Sequence, residues 1–483
     1  MKLSLTLLGD AVTEVQSPTQ SDLPSPWNCN RHIILAIVLA GVFMCVLDVQ
    51  IVAIALPSIM QSLGAEIGQV QWIATGYVIT VLATVLLFGS LSHSIGNGRL
   101  FKAGLVLFTI SSLGCGLSAS IPELILFRIL QALGASMLLG VCVAIIMQVF
   151  PPEERGRAMG YYTAVIAFGL IAGPSAGGFI VDFTGWPFIF LVNVPIGIVL
   201  LFLALRYLTI DPVPPAFRHL DYPGAVLLIG LMASLAIALN TLSNPPIRLD
   251  YFGLWSAIFL ILLFAFLVRE RSMDNPLLPI AIFRKRSFVL PGISLILYIT
   301  AVFLLLTVQP FYFEYVMGLR PSHIGLIALI LPISMMVASP IFGWIYDRYR
   351  SSRYPFIGIL VVGGSFLVLG AAFSQLDFGL IVVVFIIGGI SRSIYQTTNN
   401  IEVVTSLPAE QQGISSSLLT ALQYLGILLG ISLATFLITA QLTLAGYSGL
   451  DGTGSPLLAA IFGNCMYVAG LLCVIAAVCE YKV

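Results

Sequence analysis

The chain has 483 residues, of which 59% are hydrophobic and 9% are charged, and its mean hydropathy is +1.05. A soluble domain carries roughly a quarter charged residues, so this composition excludes an ordinary water-soluble fold. Acidic and basic residues balance at 21 each, and we therefore expect no nucleic-acid partner.

The first thirty residues are polar and rich in Ser, Pro and Asp. The apolar stretch Leu3–Leu8 within them is shorter than the hydrophobic core of a signal peptide. We predict a flexible cytoplasmic tail over residues 1–30, followed by a first span that acts as its own insertion signal.

The rest of the chain consists mainly of apolar runs of about twenty residues, the length that a helix needs to cross a bilayer. Dividing these runs at charges, prolines and turn clusters predicts an all-α polytopic membrane protein with about fourteen transmembrane helices. The predicted helices begin near Arg31, Val70, Gly98, Pro122, Arg157, Pro187, Asp221, Leu249, Phe288, Pro321, Arg353, Asp377, Gln411 and Pro456.

The basic residues predict the orientation of these helices. Seventeen of the 21 Lys and Arg residues fall on the side that holds both termini, and two fall on the opposite side. Since Lys and Arg are enriched in cytoplasmic loops, we expect a multi-pass protein of the cell membrane with both termini in the cytoplasm. The remaining two, Arg128 and Arg392, lie inside spans. We expect Arg392 to snorkel to the membrane interface.

Two similar loops indicate an internal repeat. Residues 89–99 follow the second helix, residues 343–351 follow the tenth, and both begin with glycine and reach a tight cytoplasmic turn. We therefore predict a six-helix bundle over residues 31–208, two inserted helices over residues 209–287 and a second six-helix bundle over residues 288–483. The residues assigned to these cytoplasmic gating turns are Gly89, Gly96, Arg99, Gly343, Asp347 and Arg348.

We identify Asp48 as the only carboxylate squarely inside a predicted span, where a charge costs about 3 kcal/mol or more. At a rise of about 1.5 Å per residue, Asp48 and Arg128 lie at similar depths below the outer ends of their helices. We predict that Asp48 binds the transported proton and that a change in its distance from Arg128 loads or releases it. A static ion pair that joins two helices is the alternative.

Several motifs resemble the major facilitator superfamily, and within it the fourteen-helix drug:proton antiporters of the EmrB/QacA type. Residues 47–57 (LDVQIVAIALP) are similar to the family's L-D-x-T-I-V-N-V-A-L-P, with Gln50 and Ala53 as departures. Residues 128–135 (RILQALGA) are similar to R-x-x-Q-G-x-G-A, and residues 185–197 resemble the family's signature at the sixth span. In the first cytoplasmic turn, His93 and Ser94 replace the family's Asp-Arg pair.

The fifth predicted span carries the most specific match. Residues 169–178 (GLIAGPSAGG) agree with the family's antiporter motif G-x-x-x-G-P-x-x-G-G at every fixed position. Gly169, Gly173 and Gly177 recur every four residues, so they lie on one stripe that allows a close helix contact. Pro174 removes a backbone donor and favours a bend on the same stripe. Gly178 completes the motif, and we expect the stripe to serve a rocking interface.

Further polar residues in apolar surroundings are candidates for a substrate cavity. Gln131 lies one turn beyond Arg128, with interhelical packing as the alternative. The others follow Arg392 in the twelfth predicted span, either as a cavity wall or as an emerging helix end. They are Tyr395, Gln396, Asn399 and Asn400.

The resemblance implies a secondary transporter, not an enzyme, that exports hydrophobic or amphipathic compounds, including cations, in exchange for protons. The partners are then a lipophilic small molecule, protons and the lipid bilayer, and we expect a monomer. The sequence has no nucleotide-binding loop and no metal-ligand spacing, so we expect no cofactor and no metal. Two alternatives remain open, namely proton-linked or uncoupled transport of a metabolite or lipid, and a membrane sensor that does not transport.

Overall fold

The computed structural model describes residues 30–65, 67–210, 221–243, 249–273, 280–319, 321–351, 353–407, 412–447 and 454–481. In these ranges every regular element is a helix, so the all-α prediction is confirmed there. The tail predicted over residues 1–30 lies outside the described residues, apart from Asn30.

The helices of the N-terminal half are α1 (Arg31–Leu63), α2 (Ile67–Ile95), α3 (Asn97–Leu117), α4 (Ile121–Val149), α5 (Arg155–Thr184), α6 (Phe188–Leu191) and α7 (Asn193–Tyr207). Two further helices follow, α8 (Tyr222–Ser243) and α9 (Leu249–Ser272). The C-terminal half contains α10 (Arg286–Phe311), α11 (Pro321–Ala328), α12 (Ile330–Tyr349), α13 (Arg353–Gln375), α14 (Phe378–Thr405), α15 (Gln412–Leu444) and α16 (Ser455–Tyr481).

Helices begin within three residues of the starts predicted from the sequence. Among the described residues, twelve helical segments are long and apolar enough to cross a membrane. α5 is not among the twelve, and α8 contributes only the shorter apolar segment Pro223–Leu239. The chain is therefore a multi-pass membrane protein with twelve candidate spans.

Local sequence signals explain where these helices begin and end. At the start of α4, the Ser120 side chain accepts a hydrogen bond from the backbone N–H of Glu123, and the Glu123 carboxylate accepts one from the N–H of Ala119. This reciprocal cap satisfies donors that a helix start leaves unpaired. α1 ends at Gly64, whose φ of 60° places it in the left-handed region that favours glycine.

Helix pairs recur in the same order in the two halves. In the N-terminal half α1 packs on α5, and α4 packs on α2 and α3. In the C-terminal half α10 packs on α15, and α14 packs on α12 and α13. The halves meet mainly where α5 contacts α12 and where α15 contacts α2 and α4.

α8 lies against both halves, whereas α9 packs mainly on α8 and leaves most of its surface exposed. The hydroxyl of Ser432 on α15 donates a hydrogen bond of 2.8 Å to the carbonyl of Leu239 on α8. In front of α8, Asp221 is 5% exposed and forms an ion pair with Arg269 on α9. The hydrogen bonds from Arg269 hold the pKa of Asp221 below its ordinary value of 3.8.

This ion pair predicts a pH dependence of stability. A depressed pKa in the folded state stabilises the protein above the unfolded value of about 3.9, and this contribution is lost as the pH falls through the folded value. We expect the melting temperature of the solubilised protein to decrease when the pH drops below about 4. Asp221→Asn should make that decrease smaller. Melting curves at several pH values check this, with Asp182→Asn, at an exposed carboxylate, as the matched control. Equal curves for the two variants would contradict it.

Candidate functional site

Asp48 lies in the middle of α1 and is 1% exposed. Its Oδ2 is 2.5 Å from Nη1 of Arg128 on α4, whose side chain is also 1% exposed. The structure therefore brings together the two charges that the sequence placed at similar depth. Two oppositely charged groups buried this deeply need further polar partners, because their attraction alone repays little of the lost hydration.

Those partners come from two more side chains. The Gln131 amide donates to Oδ1 of Asp48 at 2.9 Å, and the Asn193 amide on α7 donates to the same oxygen at 3.0 Å. Donors from two helices, α4 and α7, thus converge on one carboxylate of α1, and hydrogen bonds to an ionised acceptor are among the strong ones. Asn193 was not predicted as a site residue, although a lone amide in an apolar span was an available signal.

The guanidinium of Arg128 has its own contacts. Its Nε donates to the carbonyl of Ile73 at 3.2 Å, and its central carbon lies 4.3 Å from the ring centre of Tyr77 and 5.6 Å from that of Phe190. Aromatic faces attract a desolvated cation, so the rings help to hold the charge away from water. Removal of the negative charge on Asp48 would leave this cation without its counterion.

Asp48, Arg128, Gln131 and Asn193 form one charged cluster, in which Gln131 has contacts of its own. Its Oε1 accepts from Arg128 at 2.7 Å, and its Nε2 donates to Ser112 at 2.7 Å as well as to Asp48. The amide is 0% exposed, so it orients the ion pair and is not free for a solute. The prediction that placed Gln131 in a substrate cavity is therefore corrected.

The glycine stripe of α5 packs against α1 next to Asp48. A Cβ on Gly169 would lie 2.8 Å from Val46, one on Gly173 would overlap Gln50, and one on Gly177 would lie 3.2 Å from the Ile51 backbone. The close approach predicted from the motif is present, but it lies inside the N-terminal half. Gly178 faces open space, and the side chain of Pro174 lies outside the described residues.

A different contact joins the two halves at the ends of α5 and α12. The carboxylate of Asp347 accepts hydrogen bonds from the backbone N–H groups of Gly156 at 2.6 Å and Arg157 at 2.7 Å. These N–H groups belong to the first turn of α5, where a negative charge also interacts favourably with the helix dipole. A Cβ on Gly343 would overlap the Gly156 backbone, so both glycines are needed for this approach.

Charged side chains surround this contact. Arg350 pairs with Glu153 at 3.4 Å across the halves, and the guanidinium of Arg348 lies 5.7 Å from the Trp344 ring. In the related first turn, Gly96 has a φ of 96° and Asn97 donates to Gln148 at 3.3 Å. Gly89 lies within α2 and Arg99 in the first turn of α3, on either side of this turn, and the side chain of His93 lies outside the described residues.

The polar residues of α14 are buried inside the protein. The hydroxyls of Tyr395 and Ser294 are 2.7 Å apart, Gln396 accepts from Tyr298 at 3.3 Å, and the amide of Asn399 donates to Glu480 at 2.8 Å. These residues pack against α10 and α16 inside the bundle, so this stretch is not an emerging helix end. The sequence interpretation missed Glu480, because it lies close to the end of the last apolar run.

Arg392 does not snorkel. It is 3% exposed, its central carbon lies 5.0 Å from the ring centre of Phe366, and its buried Nε has no hydrogen-bond partner among the described residues. The expectation from the sequence is wrong because Arg392 faces α13 within the bundle and not the lipid.

A family profile described as Major Facilitator Superfamily matches residues 38–431 and, in a second match, residues 291–479. The chain belongs to the major facilitator superfamily. The broader part of the resemblance stated from the motifs is therefore confirmed, and the members to which this chain is similar are transporters.

Two curated relatives in the superfamily cover most of the chain. The riboflavin transporter RibZ of Clostridioides difficile is 32% identical over 421 residues, which are 86% of this chain and 89% of that protein. The multidrug resistance protein Stp of Mycobacterium tuberculosis is 30% identical over 426 residues, 86% of this chain and 77% of that protein. The crystal structure of the human organic anion transporter MFSD10 covers 92% of this chain and 99% of its own, with a TM-score of 0.63 and 13% identity, and shows the shared fold.

A cavity of about 660 Å³ opens at the ends of α1, α2 and α4 in this superfamily member. Its lining includes Trp72 and Ile129, the neighbours in sequence of the Ile73 carbonyl and of Arg128. The cavity is therefore lined by residues that are next in sequence to Arg128 and to its partner Ile73, although Asp48 itself is buried.

Proposed function

We propose that the protein is a proton-coupled exporter of hydrophobic or amphipathic compounds in the cell membrane. The observation that carries the proposal is the buried Asp48–Arg128 pair between α1 and α4, to which Gln131 on α4 and Asn193 on α7 add amide donors. A proton on Asp48 would cancel the charge that holds Arg128 and weaken the contacts among these helices. Proton binding and helix movement are then linked, which is what coupled transport requires.

The cytoplasmic contact supplies the second part of the mechanism. Asp347 binds the first turn of α5, and this contact closes the gap between the halves at that end. The cavity beside Trp72 opens at the opposite ends of the helices. In our proposal the two halves rock about the site, and separation of α5 from α12 opens it to the cytoplasm.

The proposed topology has fourteen spans. It adds α5 and α8 to the twelve candidate spans, treats α8 and α9 as an inserted pair, and keeps both termini in the cytoplasm. The motif in α5 and the excess of basic residues on one side support this assignment. The same features support our assignment of the protein to the fourteen-helix drug:proton antiporters.

A second candidate function is proton-linked transport of a metabolite. It is favoured by the relative named a riboflavin transporter, which is 32% identical to this chain. The charged cluster serves either direction of transport, so the choice between the two functions rests on the solute.

Growth and efflux assays test the proposal. Expression in an efflux-deficient bacterium should raise the inhibitory concentration of several neutral or cationic lipophilic drugs several-fold. Collapse of the proton gradient with an uncoupler should stop efflux of the same drugs from loaded cells. Efflux that continues after the gradient has collapsed would contradict proton coupling, and unchanged drug sensitivity with uptake of riboflavin would favour the metabolite function.

A further inference from the structure

Two polar stripes face the N-terminal half from α14 and α15. In each stripe three polar residues recur at positions i, i+4 and i+7, which share one face of a helix. The stripes are Ser393, Thr397 and Asn400 on α14, and Ser416, Thr420 and Gln423 on α15.

The middle residue of each stripe contacts the N-terminal half. The hydroxyl of Thr397 lies 3.4 Å from that of Thr163 on α5. The hydroxyl of Thr420 donates at 3.2 Å to the carbonyl of Leu139 on α4. Both stripes therefore lie on the surface at which the two halves meet, where the proposed rocking would expose them.

The outer residues of the stripes are buried without partners. Ser393, Asn400 and Ser416 are each 0% exposed, and neither hydroxyl nor either atom of the Asn400 amide has a hydrogen-bond partner among the described residues. The Nε2 of Gln423 is also buried and has no hydrogen-bond partner among the described residues. Because nearly all buried polar atoms in proteins are paired, such a group of unpaired atoms indicates a place where another molecule supplies the bonds.

On the neighbouring face of α14, two side-chain amides do form hydrogen bonds. Gln396 accepts from Tyr298, and Asn399 donates to Glu480 and to the carbonyl of Pro291. The adjacent amides Asn399 and Asn400 therefore differ in their surroundings. The Nδ2 of Asn399 is bonded within its own bundle, whereas its Oδ1 and both atoms of the Asn400 amide have no partner among the described residues.

The two stripes lie at the same level of the protein. Asn400 is five residues from the end of α14 and Ser416 is four from the start of α15, so both lie roughly 6 to 8 Å from the ends that residues 406–411 join. Ser393 and Gln423 lie roughly 16 to 18 Å from those ends. The unpaired atoms thus form a patch about 10 Å tall across two antiparallel helices.

The chemistry of the patch is neutral. It offers two hydroxyls, one amide that can donate and accept, and one further amide donor. The nearest carboxylate along α14, that of Glu402, lies two residues beyond Asn400, about 200° around the helix. We propose that the two stripes recognise an uncharged solute through its amide, imide or hydroxyl groups. This inference rests on the proposed transport function and specifies the class of its substrate.

Equilibrium binding to the purified protein tests this class. The probes are riboflavin and chloramphenicol, which are neutral and carry amide or imide and hydroxyl groups, and the lipophilic cation tetraphenylphosphonium. Because each lost hydrogen bond weakens binding by about tenfold, Asn400→Ala and Gln423→Ala should lower the affinity for the neutral probes by at least that factor. The affinity for the cation should change by less than about threefold. Asn464→Ala, at an exposed amide near the other ends of α15 and α16, is the matched control.

Three outcomes would overturn the inference. They are equal weakening for the cation and the neutral probes, unchanged affinity for the neutral probes in both variants, and binding of only the cation by the unmodified protein. The titration uses no proton gradient, so a failure of proton coupling in cells or vesicles leaves its result unchanged.

The stability of the protein without ligand separates recognition from a structural role. Asn399→Ala removes bonds to Glu480 and Pro291 and should lower the melting temperature. Asn400→Ala removes an amide that has no partners and should leave the melting temperature equal or higher. An equal loss of stability in both variants would show that Asn400 supports the fold and would contradict the inference.

Discussion

Asp48→Asn is expected to abolish proton-driven transport in membrane vesicles, with a loss of more than about tenfold in the coupled rate. Asparagine keeps the size of the side chain and can accept one hydrogen bond from Arg128, but it neither carries the charge nor binds the proton. Binding of the solute without a gradient should persist, because none of the hydrogen bonds to Asp48 comes from a residue of the polar stripes. Asp377→Asn, which preserves an exposed helix cap on α14, is the matched control.

A double variant separates proton coupling from the static ion pair. Removal of one partner from a buried pair costs about 3–5 kcal/mol, so Asp48→Asn alone is expected to lower the melting temperature. Asp48→Asn combined with Arg128→Gln removes the uncompensated cation and should recover part of that stability. If the pair is only structural, the double variant should also recover transport, whereas coupling through Asp48 predicts that transport stays lost.

Gly156→Ala is expected to block the transport cycle by preventing closure between α5 and α12. The added Cβ would lie 2.5 Å from the Asp347 carboxylate and 2.6 Å from the Gly343 carbonyl, closer than real Cβ contacts. Neither neighbour is the flexible end of a long side chain, so the helices must separate. We expect a loss of at least about tenfold in transport and a longer distance between spin labels on the adjoining ends of α5 and α12.

The control for this prediction lies on the same helix. Gly178→Ala adds the same methyl group to α5, where nothing lies within 4 Å of the new Cβ. We expect its transport rate and label distances to match those of the unmodified protein. An unchanged label distance in Gly156→Ala would contradict the role that we give to this contact.

The sequence predicted the helix starts and the depth of the charged pair because both depend on distance along the chain. Hydrophobic length marks a span, and a rise of about 1.5 Å per residue converts position into depth, so Asp48 and Arg128 could be matched without a structure. The direction in which a residue faces around its helix depends on neighbouring helices. For that reason Gln131 was placed in a cavity, and Arg392 was expected at the interface.

The same limit applies to the glycine motif and to the amides of α14. Spacing by four residues predicts a close contact for Gly169, Gly173 and Gly177, but it does not identify α1 as the partner. Likewise, nothing in the order of Asn399 and Asn400 shows that one is bonded and the next is not. That difference arises only when α10, α16 and the N-terminal half pack around the helix.

The contact between Asp347 and α5 indicates that a duplicated architecture does not require a symmetric motion. Near the end of α12 the Asp347 carboxylate binds the opposite half, whereas His93 stands at the corresponding position near the end of α2. Because His93 has an imidazole and not a carboxylate, we predict that the interface between α2 and α15 does not form the restraint that Asp347 gives to α5 and α12. We expect inward opening to begin at the interface between α2 and α15. The halves should then move as a hinge about the contact between Asp347 and α5.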